Sequence, residues 1–205
     1  MMLPTHVLGG MLLAAPLAYA APELAPVGFV AGFLGGLVPD LDMYVGHRRT
    51  LHYPVYYSAL AAVALPVALL APSAATVGVA VFLIAAALHS VSDVYGGGLE
   101  LRPWEGTSDR AVYDHYRGRW IAPRRVVRYD GAVEDLALSV GLSLPLLYLV
   151  DGTLRWIVLG AVAVAVAYTV LRRHLADLAA RIAPIAPAVL TPFLPDRYCD
   201  EDPES

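Results

Sequence analysis

A few of the chain's six histidines and eighteen acidic residues stand where chemistry needs them. His6 opens the first apolar stretch. Asp40 and Asp42 close the second, in Val-Pro-Asp-Leu-Asp, and His47 and His52 follow in His-Arg-Arg-Thr-Leu-His, just before the third. His89 and Asp93 end the fourth, in His-Ser-Val-Ser-Asp. A spacing of i, i+4 puts His89 and Asp93 on one helix face, a common way to offer two ligands to one cation. Asp40 and Asp42 sit in a proline-led turn, where neighbouring carboxylates bridge metals or divide the roles of ligand and base. Imidazole with carboxylate suits a divalent ion, zinc first, manganese or iron(II) next, with room for more than one.

Taken singly, these residues have plainer readings. His6 is a structural hydrogen-bonding residue, Asp42 caps a turn, Asp93 satisfies a helix end, and Arg48 and Arg49 are basic anchors. Together on one face, His6, Asp42, His52, His89 and Asp93 read as metal ligands, with His47 beside them and Asp40 as ligand or base. A carboxylate costs about 2.5–3.5 kcal/mol at a membrane helix centre, so a cluster at the interface calls for a purpose. His115 and His174 fall outside the pattern and read as surface residues.

The elements that must position these groups are apolar helices. The chain of 205 residues is 58% hydrophobic and 16% charged, with a mean hydropathy of +0.60. Soluble domains run near 45–50% apolar and about 25% charged, and the excess here lies in long uncharged stretches. The sequence therefore predicts an all-α, polytopic membrane bundle of about six apolar helices. The first two, Val7–Ala21 and Leu24–Val38, are short, hold Pro16 and Pro26, and are compatible with a re-entrant hairpin. Val55–Ala71, Ala75–Val91, Val133–Val150 and Leu154–Leu171 are long enough to span. Residues 1–182 form one membrane-embedded domain, with 94–132 as an interfacial loop. Residues 183–205 form a Pro-rich, acidic tail. Ala18-Tyr19-Ala20 imitates a signal-peptidase site, but no basic residue precedes Arg48, so the segment is expected to be retained.

Six spans place the N-terminus, the Pro39–Pro54 and Tyr95–Ala132 connections and the tail on one side. All basic residues are arginine, fourteen in number, and every one except Arg155 falls there. The positive-inside rule makes that side cytoplasmic and puts both termini and the metal site on it, at a cell membrane. Net charge is −4, which gives nucleic-acid binding no support. The single cysteine, Cys199, excludes an intramolecular disulfide framework and a cysteine zinc cage.

These blocks resemble the YdjM-like, membrane-bound, metal-dependent hydrolases. The matching stretches are Thr5-His6 with Gly9-Gly10, Pro39-Asp40-Leu41-Asp42, His47 through His52, and His89 through Asp93, followed by Gly96-Gly97-Gly98 and Pro103. They cover about the first half of the chain, in the family's order. Where the family more usually has Arg-x-x-Thr-His-Ser, Leu51 intervenes and Tyr53 replaces the serine, while His52 stays in place. The family is distantly similar to zinc-dependent phospholipase C and related nucleases. The resemblance implies metal-assisted hydrolysis of a phosphoester such as a lipid headgroup, with bound water brought toward a pKa of about 7. Arg48 or Arg49 would then clamp a phosphate oxygen.

The Leu99–Ala132 loop interleaves arginines with Trp104, Tyr116 and Trp120, which suits a bilayer surface bearing anionic lipid. A competing function is metal-ion binding or transport, which should place polar groups near the bilayer midplane. The mid-span residues are instead almost all Ala, Val, Leu and Gly. A third is a structural membrane protein stapled by a metal.

Overall fold

The computed structural model describes residues 1–185. They are mostly helical: α1 (Leu3–Leu12), α2 (Leu17–Ala20), α3 (Ala25–Leu37), α4 (Pro54–Leu70), α5 (Ala74–Ser92), α6 (Val133–Leu149) and α7 (Gly152–Ile182). Of the tail expected from residue 183, only the 3-10 turn Ala183–Ile185 is described; the remainder lies outside the described residues.

Prolines at the first turns of α1, α3 and α4 start these helices, because the missing N–H is an orphan there anyway. Ser73 starts α5 through a capping box with Thr76. Three segments are long and apolar enough to cross a membrane: Leu3–Ala20, Ala74–Tyr95 and Gly152–Ile182; Pro54–Leu70 is apolar but shorter. The first apolar stretch, expected to be short, is therefore among the long ones, because its helix begins at Leu3, ahead of Val7, and α2 continues it after Pro16.

α1 occupies the middle, packing on α3, α5, α6 and α7. Gly10 and Gly32 face each other so closely that a Cβ on either would strike the other's backbone, and Gly36 packs in the same way on the backbone of His6. Two thin helices thus cross at backbone contact. Leu8, Met11, Phe29, Ala80 and Val158 form the core beneath. Outward-facing positions are apolar too, with Val63 68%, Leu70 87% and Trp156 74% exposed. A surface this apolar is fitted to lipid rather than water.

The 94–132 segment, expected as an irregular loop in an all-α chain, contains a short antiparallel hairpin, β1 (Val112–Asp114) with β2 (Arg119–Ile121). Gly118, at φ +64°, turns the chain between the strands. At about 1.5 Å per residue the 31 residues of α7 reach about 46 Å, beyond a hydrocarbon core of about 30 Å. Its last turns carry the loop. Arg172 is buried and pairs with Asp130, and its guanidinium lies over Trp104. The exposed Arg102–Asp177 pair adds a second attachment at 3.1 Å.

Candidate metal centre

α3 and α5 run parallel and deliver their C-terminal ends to the same place, where the negative ends of their dipoles favour a cation. α3 passes into the 3-10 turn Val38–Tyr44, which presents Asp40 and Asp42. The last turn of α5 presents His89, and Asp93 follows at its C-cap. The connection before α4 supplies His52.

Asp40, His52, His89 and Asp93 can hold one metal ion: each offers one ligand atom, and these atoms lie within 4.8 Å of one another. The Nε2 atoms of His52 and His89 are 3.2 Å apart. Asp93 Oδ2 is 3.3 Å from the first and 3.6 Å from the second. Asp40 Oδ1 is 3.7 Å and 3.4 Å from the same two atoms. Asp93 Oδ2 is buried, and besides these two rings the Arg48 guanidinium faces it, with Nε at 3.4 Å.

The opposite ring nitrogens settle which atoms face the centre. His89 Nδ1 lies 2.8 Å from the Gly36 carbonyl oxygen, which can only accept, so Nδ1 carries a proton and Nε2 is the atom turned to the centre. His52 Nδ1 likewise donates to Asp42 Oδ2 at 2.9 Å. This carboxylate–histidine arrangement fixes ring and tautomer at many metal sites.

Asp42, expected among the ligands, stands behind His52. Its Oδ1 accepts from His47 Nδ1 at 3.0 Å and from the Arg48 N–H at 3.3 Å; its Oδ2 accepts from the Leu51 N–H at 3.0 Å as well as from His52. His47 is thereby directed to Asp42. His6 comes to the edge of the cluster, its ring stacked on that of His89 at 3.6 Å and its Nε2 3.0 Å from Asp93 Oδ1. The Met1 amino group lies 2.6 Å from the same oxygen.

The two arginines point different ways. Arg48 is buried, with φ at +58°; its Nε lies 3.4 Å from Asp93 Oδ2 and its Nη1 donates to the Gly97 carbonyl at 2.8 Å. Arg49 is exposed and lies over the Tyr113 ring, 4.7 Å from its centre. The hairpin touches this turn directly, since the Tyr113 N–H donates to the Arg48 carbonyl.

Charge in the turn follows from these contacts. Burial works against ionising Asp42, but hydrogen bonds from His47 and His52 outweigh it and hold the carboxyl below the ordinary range. Asp40 is lowered too: burial opposes, and the charge and hydrogen bond of His89 prevail. His52 is raised, because its hydrogen bonds with Asp42 and Asp93 outweigh burial.

Sequence spacing did not mark the Gly36 carbonyl or the Met1 amine, neither of which has a side-chain signature, and it named Gly97 only within the glycine run after Asp93. His115, expected at the surface, is half-buried with its ring 4.5 Å from that of Tyr53, whereas His174 is exposed. No protein-family model matches the chain, and no curated protein or solved structure matches it either.

Proposed function

We propose that this protein is a membrane-embedded, metal-dependent hydrolase of phosphoesters. Asp40, His52, His89 and Asp93 hold a divalent ion at headgroup depth on the cytoplasmic side of a six-span bundle, zinc being the first choice. The observation that carries the reading is the convergence of two imidazole Nε2 atoms and two carboxylate oxygens, with Gly36 and Asp42 holding the opposite ring nitrogens so that both Nε2 atoms turn inward. A divalent ion bound there supplies Lewis acidity toward water and a phosphoryl oxygen. Asp42 orients His52, and Arg48 holds Asp93 in place while balancing its charge. Asp40 is the least buried of the four, so its free oxygen is the one suited to take a proton from an incoming water.

The reaction class comes from the resemblance to the YdjM-like hydrolases, and the N2O2 donor set agrees with it. Six spans put the four donors, from three chain segments, at one surface, and the arginine distribution makes that surface cytoplasmic. The Trp and Arg side chains of the 94–132 loop meet anionic headgroups there. Reporter fusions at Ser73 and Asp151 read as external on this topology, and cytoplasmic signals at both overturn it. Purified protein incubated with phosphomonoesters, phosphodiesters and phospholipids turns over one of these classes, and chelation stops it. A metal-loaded, folded preparation that cleaves none of them points to a metal staple instead.

A further inference from the structure

A carboxylate that the proposed chemistry does not use is buried in the first turn of α6. Asp135 is closed to solvent and belongs to none of the segments that bear the candidate ligands. An acid buried in a membrane helix is expensive and calls for a role. Its Oδ1 accepts from the Thr5 hydroxyl at 2.6 Å. Its Oδ2 accepts from the Met2 N–H at 2.8 Å and from the Gly131 N–H at 3.2 Å. Because the Thr5 hydroxyl donates to Asp135, the Ser139 hydroxyl, 2.7 Å away on α6, donates to Thr5 in turn. All these contacts on α1 fall at its first turn, where the helix has no capping side chain of its own. A carboxylate there also meets the positive end of the helix dipole.

The residue after Thr5 is His6. Its ring stacks on that of His89 at 3.6 Å, and its Nε2 lies 3.0 Å from Asp93 Oδ1. With Oδ1 engaged there, Asp93 keeps Oδ2 toward His52 and His89, at 3.3 Å and 3.6 Å. A slip of α1 by about 1 Å would carry the His6 contact out of hydrogen-bond range. We infer that Asp135 is a positioning residue of the metal centre. By holding Met2 and Thr5 it fixes the first turn of α1, so that His6 engages Asp93 Oδ1 and leaves Oδ2 to the ion. This rests on the metal reading above and adds to it a residue from the second half of the chain.

The test uses the full chain in amphipol, loaded with cobalt(II), whose visible bands report on the ligand set. Chelator competition well below the unfolding temperature gives the affinity. Asp135→Ala should weaken cobalt binding about tenfold, the low end of what is lost with a group behind a ligand. Thr5→Val removes one of the contacts and should act in the same direction by less. Asp135→Asn should recover most of the loss, since its amide oxygen can accept both N–H groups while its NH2 donates to Thr5, which then donates to Ser139. Ser143→Ala removes a buried hydroxyl that donates to the Val140 carbonyl of its own helix, and should match the parent. In a His6→Ala background, Asp135→Ala should weaken binding by less than about threefold more, because the route to Asp93 is already cut. An equal penalty with and without His6 overturns the inference. So does a lower unfolding temperature with unchanged affinity, which marks a purely structural role. Asp135→Asn as damaging as Asp135→Ala overturns it too, by assigning the effect to charge. If Asp135→Ala does not fold, Thr5→Val in the two backgrounds decides by the same comparison. A parent chain that takes up no cobalt overturns the metal reading and this inference with it.

Discussion

His52 and His89 turn their Nε2 atoms toward each other at 3.2 Å while their Nδ1 atoms are committed to Asp42 and Gly36. Two lone pairs at that distance repel unless a proton or a cation lies between them. Asp93 Oδ2 faces the same point, 3.3 Å from the first nitrogen and 3.6 Å from the second. The pair is built around a positive charge, and the predictions below concern what supplies it and what holds it.

Asp42 acts through His52. Asp42→Asn keeps the shape of the turn but removes the charge that orients the ring and strengthens its basicity. Metal affinity should fall about 10–100-fold without being abolished, as for other carboxylates placed behind a ligating histidine. Chelator competition measures it. Unchanged affinity contradicts the role, and complete loss makes Asp42 itself a ligand.

Arg48 is a buried charge with a buried partner, joined to Asp93 and to the Gly97 carbonyl. Removing one member of such a pair strands the other, at about 3–5 kcal/mol. Arg48→Met should therefore lower the unfolding temperature and loosen the metal. Arg48→Lys should recover only part of both, since an ammonium cannot reach two directions in one plane. Full recovery by lysine would make charge alone sufficient.

Acidity should act in opposite directions on the two forms. His52 holds its proton above its ordinary value of about 6.5, burial being outweighed by Asp42 and Asp93. In metal-free protein this contributes stability present in full below about 6.5 and lost as pH rises through the higher folded value. An ion must displace the same proton, so metal affinity grows as pH rises through that value. Chelated protein should melt higher in mild acid than in mild alkali, and loaded protein the reverse. Melting curves of both forms across this range check it, and a pH-independent metal affinity refutes it.

Much of the centre could be read from spacing. His89 and Asp93 share a helix face at i, i+4, and alternating spans return the Asp40 turn and His52 to the same end. The order of shells could not be read. Which carboxylate of Asp40-Leu41-Asp42 faces the centre depends on a turn in which Gly46 and Arg48 both take left-handed backbone angles, and nothing local forces an arginine there. The Arg48 carbonyl is met by the Tyr113 N–H from sixty-odd residues away, and the Asp42 carboxylate meets its N–H. Tertiary contacts select that conformation. The hairpin escaped notice for a related reason: strands of three residues carry too little periodicity to stand out in an arginine- and aromatic-rich loop. The central position of α1 depends on Gly10 meeting Gly32, a pairing between helices that neither sequence stretch shows by itself.

Metal analysis of the purified chain beside His89→Ala and His52→Ala tests the central claim most directly, with His115→Ala as a histidine outside the centre. Parent protein and His115→Ala should carry a stoichiometric divalent ion. His89→Ala and His52→Ala should lose it while remaining inserted and helical, since each removes one of four converging donors. Wild-type metal content in both His89→Ala and His52→Ala, or a parent chain that binds no divalent ion when supplied with zinc, manganese or iron(II), would contradict the account.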